Sequence, residues 1–83
     1  MKATIRITLK NGVLDPQGKA IEKALGSLGF DGIDNVRQGK LIELDLQQSD
    51  LEQARAEITD MCGMLLANTV IEKYSFELED QGK

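Results

Sequence analysis

The chain has 83 residues, 41% of them hydrophobic but only 4% aromatic, with one cysteine, no histidine and a net charge of −4. These numbers predict one small domain with an aliphatic core. They exclude an internal disulfide framework, imidazole acid–base chemistry and imidazole metal ligation, and they lack the basic surface and stacking aromatics of a nucleic-acid binder.

The chain opens with Ala3, Ile5, Ile7 and Leu9 alternating with Lys2, Thr4, Arg6, Thr8 and Lys10, the two-residue period of a half-buried strand. That alternation does not read as the apolar core of a signal peptide. Asn11-Gly12 supplies a bend that tolerates positive φ. Asp15 then reads as the N-cap of a helix, with Pro16 at its first position, where a missing N–H costs nothing. Ala20, Ile21, Ala24, Leu25 and Leu28 form its apolar stripe, and Gly29 sits where a left-handed residue would end it. Residues 33–38 are expected to form a short strand on Ile33 and Val36, with a tight hairpin at Gly39. Lys40 to Leu46 alternates cleanly, with Ile42, Leu44 and Leu46 on one face.

Ser49-Asp50-Leu51-Glu52 has the pattern of a capping box. A second helix follows with Leu51, Ala54, Ile58, Met61, Cys62 and Leu65 on one side, interrupted by Gly63. The last strand is expected from about Thr69 to Glu79, with Val70, Tyr74, Phe76 and Leu78 in phase. Residues 1–79 thus make one domain, and 80–83 a polar tail. The element order β-α-β-β-α-β predicts an α+β, ferredoxin-like fold, with two helices on one face of a four-stranded antiparallel sheet. Strand 40–46 and the first strand would be central, leaving 33–38 and 69–79 as edges open to another chain.

Nothing in this pattern builds an active site. The serines lack a base at a motif spacing, no GxxxxGK[ST] phosphate loop is present, and Cys62 is in phase with a helix stripe, where it reads as a small core hydrophobe. No apolar run approaches the roughly 20 residues of a membrane span, so no membrane contact is expected, and the lone cysteine suits a reducing cytoplasm. Charge is uneven, +3 over residues 1–40 and −7 over residues 41–83. The candidate site residues are therefore polar groups and glycines at turns: Asn11, Gly12, Asp15, Gln17 and Gly18 around the first helix start, Arg37, Gly39 and Lys40 at the predicted hairpin, and Asn68 and Glu72 at the last helix-to-strand junction. Each has a turn, cap or surface role available to it. Asn11 and Gln17 also lie near a helix N-terminus that can receive a partner's carboxylate, and Asn68 is a candidate for the helix-ending conformation.

Gly12–Gly18 (GVLDPQG), Ala24–Phe30 (ALGSLGF) and Val36–Lys40 (VRQGK) together resemble the PurS family, the small subunit of phosphoribosylformylglycinamidine synthase. Leu65–Tyr74 (LLANTVIEKY) is a looser match, with Thr69 where the family pattern has proline and Lys73 where it has an acidic residue. The resemblance covers nearly the whole chain, and it is the joint spacing of the blocks that is specific. It implies a non-catalytic homodimeric subunit joining a PurL-type synthetase to a PurQ-type glutaminase. Ammonia released from glutamine then reaches formylglycinamide ribonucleotide. The complex would use ATP, Mg and glutamine, with no cofactor bound by this chain. A different class stays open from the residues alone: a stand-alone ferredoxin-like regulatory module binding a small ligand at a dimer interface.

Overall fold

The structure, a computed structural model, describes residues 1–80. The elements are β1 (Lys2–Leu9), α1 (Pro16–Ser27), β2 (Gly39–Asp45), α2 (Leu51–Met61) continued by a π-helical turn (Cys62–Leu66), and β3 (Glu72–Glu79). Three strands form one antiparallel sheet in the order β2-β1-β3, so β1 is central and both β2 and β3 are edges. The predicted α+β class holds. The four-stranded sheet does not, and β2, expected in the centre, lies at an edge.

Residues 33–38 form no strand. Asn35 takes a left-handed φ of 56°, which breaks an extended run. The amides of Val36 and Gln38 donate to the carboxylates of Glu22 (3.4 Å) and Asp15 (2.9 Å), where a strand would need a neighbouring backbone. Gly39 accordingly opens β2 and does not turn a hairpin.

The core lies between the sheet and α2. Ala3, Ile5 and Ile7 from β1 pack with Ile58, Cys62 and Ala67, flanked by half-buried Ile42, Leu44, Leu46, Tyr74, Phe76 and Leu78. The two-residue alternation therefore places the sheet residues as predicted, except Val70, which precedes β3 and is exposed. Ala67 donates to the Cys62 carbonyl at 3.0 Å, the wider π-helical bond. Gly63 stays exposed, with no neighbour near the position a Cβ would take, so it answers no close packing. Burial pushes the Cys62 thiol up, which suits a packing role. The N-cap of α2 is Asp50, accepting from the Glu52 amide at 2.9 Å, one residue later than the capping box placed it. Gln48 takes the Ser49 and Asp50 amides. β3 starts at Glu72 because residues 68–71 turn back on the Asn68 carbonyl. Of the polar tail expected at 80–83, residues 81–83 lie outside the described residues.

The first helix departs most from expectation. Among the described residues the core takes nothing from α1, whose one buried residue is Gly18. Ile21 and Leu28 on its stripe remain exposed, Leu28 at 73%. Only α2 covers the sheet, so two helices on one face is not the arrangement. The radius of gyration is 16.3 Å, against about 12 Å for a compact domain of this length. The helix nonetheless ends as read. Gly29 has φ 97°, its amide bonds the Gly26 carbonyl, and the Phe30 amide bonds the Leu25 carbonyl, a Schellman closure. On the open sheet face Lys2 meets Glu43 and Arg6 meets Glu77, both at 3.5 Å; exposed pairs of this kind contribute little.

Under monomeric conditions, Ile58→Ala is expected to cost about 2–5 kcal/mol through the cavity it leaves, while Leu28→Ser changes stability by less than about 0.5 kcal/mol. Denaturant unfolding of the two variants checks the contrast.

Candidate interaction site at the junction of β1 and α1

The ten candidate residues, scattered over 62 positions of sequence, collect at one end of the sheet. Antiparallel pairing brings this about: Thr8 stands beside Gly39 and Lys73, and Leu9 beside Glu72. The turn after β1, the start of α1, the start of β2 and the start of β3 therefore share one corner.

Asp15 is the centre of that corner and is buried, at 5% exposure. Its Oδ1 accepts from the Gly18 amide at 2.9 Å, the expected helix cap, and its Oδ2 accepts from the Gln38 amide at 2.9 Å. The Gln38 and Gly18 bonds, with Arg37 nearby, hold its carboxyl below the ordinary 3.8 against the opposing effect of burial. Segment 36–38 crosses so close to α1 that a Cβ on Gly18 would fall 2.2 Å from the Val36 carbonyl oxygen. Gly39 is equally hemmed in, 2.5 Å from the Ile7 carbonyl oxygen by the same measure. Arg37 donates to the Leu9 and Lys10 carbonyls at 3.3 and 3.1 Å, closing the far side of the turn.

The remaining candidates border this knot. Lys40 pairs with Glu72 at 3.6 Å across β1, and the other oxygen of Glu72 accepts from the Asn68 amide at 2.6 Å. Asn68 has no left-handed φ and so does not end the helix as expected. It builds the following turn, its side chain accepting from the Val70 amide and its carbonyl from Ile71 and Glu72. Asn11 accepts from Lys73 at 3.5 Å, and Gly12 follows at φ 87°. Gln17 lines a shallow cavity of about 190 Å³ with Asp15, Gly39, Lys40 and Glu72. Sequence reasoning missed Glu22, Gln38 and Lys73, whose parts depend on contacts between distant segments. Among the described residues no cluster of three metal-ligating groups occurs, and no helix is long and apolar enough to cross a membrane. Exposed Leu14, Val70 and Ile71 flank the polar groups, Val70 at 80% exposure.

Residues 2–80 match the family model of PurS, phosphoribosylformylglycinamidine (FGAM) synthase. This chain belongs to the PurS family. It is 50% identical over 74 residues to the PurS subunit of phosphoribosylformylglycinamidine synthase from Synechocystis sp., spanning 89% of this chain and 74% of that one. The crystal structure of PurS from Methanocaldococcus jannaschii, one of the subunits of formylglycinamide ribonucleotide amidotransferase in the purine biosynthetic pathway, superposes with TM-score 0.87 at 40% identity, over 98% of each chain. A chain of the PurLQS structure from Thermotoga maritima superposes with TM-score 0.84 at 30% identity, over 92% of this chain and 93% of that one. The three-stranded sheet and the outlying first helix are thus described in a chain whose PurS relatives superpose over nearly its full length.

Two outcomes test the knot. Gly18→Ala is expected to cost about 1–3 kcal/mol, because the Val36 backbone must move; denaturant titration measures it. The lowered Asp15 pKa gives stability that is present above 3.8 and lost as pH falls through the folded value. Asp15→Asn is expected to lower Tm at neutral pH and to flatten the acid limb of a Tm-against-pH curve below that point.

Proposed function

We propose that this chain is the small subunit of phosphoribosylformylglycinamidine synthase, holding an ATP-using PurL-type synthetase and a PurQ-type glutaminase together. In this reading glutamine-derived ammonia passes between the two large subunits to formylglycinamide ribonucleotide. ATP, Mg and glutamine are used there, and this chain, a homodimer in the cytoplasm, contributes no reacting group. The observation that carries the reading is the superposition on a chain of the PurLQS assembly over nearly the full length. The architecture supports it: an extended chain with an uncovered first helix, two open sheet edges and exposed apolar groups beside a polar corner offers surface on several sides.

The ten junction residues are proposed to meet the partners through their outward groups. Asp15, Gly18, Arg37 and Gly39 act indirectly, by shaping the turn from within. Thr69 and Lys73, where the chain departs from the family pattern, lie on this corner too.

Size-exclusion of the chain mixed with both large subunits, in the presence of glutamine and Mg-ADP, tests the proposal. One species containing all three is expected, together with glutamine-dependent synthesis that needs this chain. Elution of the chain alone, with synthesis undiminished by its omission, contradicts it. Within an assembling system, Lys40→Glu is expected to weaken assembly; unchanged affinity removes the junction as a contact.

A further inference from the structure

We propose that Asn11 is a site of spontaneous deamidation, in which the Gly12 amide closes on the Asn11 side chain and the Lys73 ammonium accelerates the closure. Three features of the corner carry this. Asn11 and Gly12 are both exposed on the turn after β1, and the position a Gly12 Cβ would take has no neighbour within 4 Å, so no other segment packs on that side of the turn. Among the described residues nothing accepts a hydrogen bond from the Gly12 amide, whereas the flanking amides of Lys10 and Val13 bond to the Ile71 and Lys10 carbonyls. Lys73 reaches the Asn11 side chain at 3.5 Å. An ammonium has only donors, so the atom facing it is the amide oxygen. That is the oxygen on which negative charge gathers when the carbon beside it is attacked.

The step balances with water alone. A solvent base takes the Gly12 amide proton, and the nitrogen bonds to Asn11 Cγ. The bond from Cγ to Nδ2 then breaks, and ammonia leaves with a proton from water. Water opens the resulting five-membered imide at either carbonyl, leaving aspartate or isoaspartate and one added negative charge. No electrons are exchanged. The other two asparagines supply internal controls, since each precedes a β-branched residue, Val36 or Thr69, and the Val36 amide is engaged by Glu22. The product places a carboxylate beside Lys73 and, as isoaspartate, a longer backbone link between β1 and α1. The inference does not rest on the proposed function.

The folded chain, held at mildly alkaline pH and body temperature, is digested and mapped by mass spectrometry with isoaspartate resolved chromatographically. A gain of one mass unit at Asn11 is expected about tenfold sooner than at Asn35 or Asn68. Lys73→Met is expected to slow it roughly fivefold in the folded chain, about 1 kcal/mol on the barrier, and to change nothing in guanidinium-unfolded chain. Lys73→Glu is a second exposed-site variant with the same direction. Asn11 persisting as long as Asn35 and Asn68 overturns the site. Equal folded-state rates with and without the Lys73 ammonium overturn its part.

Discussion

One carboxylate fixes where the first helix goes. Asp15 closes the first turn of α1 with one oxygen and holds the Gln38 amide with the other. Both donors are backbone, so the link ties chain direction to chain direction. The rest of the knot follows that constraint: Gly18 has no side chain because Val36 passes over it, and Gly39 has none because β1 lies against it. The helix is therefore anchored by polar bonds at its start and receives no apolar packing from the described core.

That division has a functional consequence. A sheet covered by α2 supplies the core, while α1 and the turns at one sheet end are left to present surface. Apolar groups that would stabilise a compact two-layer domain remain outside, on Ile21 of α1 and Leu28 at its C-cap, and on Leu14 and Val70 at the corner. No described residue covers them, which agrees with a member of a family whose relatives include a chain of a multi-subunit assembly. Exposed apolar area of this kind marks contact surfaces. The corner also brings Lys10, Arg37 and Lys40 of the first 40 residues beside Lys73 of β3.

Local chemistry was legible in the sequence. The alternation of β1 and β2, the Asp15 cap with Pro16 behind it, and the Gly29 closure all appear where residue type and spacing put them, because each depends on neighbours within a few positions. The failures share one cause. Residues 33–38 have strand-like apolar positions, but their amides are taken by Asp15 and Glu22, more than ten positions away. The stripe on α1 has the spacing of a buried face, yet spacing alone does not say whether the covering surface belongs to the same chain. Ser49 lost the cap to its neighbour Asp50, an equally good acceptor one residue nearer the helix. The candidate residues fall into three turn groups by residue type; that the groups share one corner follows from the pairing of β1 with β2 and β3 over long sequence separations.

Hydrogen exchange of backbone amides in Asp15→Ala, compared with the unaltered chain, tests most directly whether a polar knot and not the hydrophobic core holds α1. Loss of protection confined to α1 and segment 36–38, with the amides of Ile5 and Ile58 as slow as before, is the outcome this account predicts. Undiminished protection across α1, or an equal fall in α1 and the core, contradicts it.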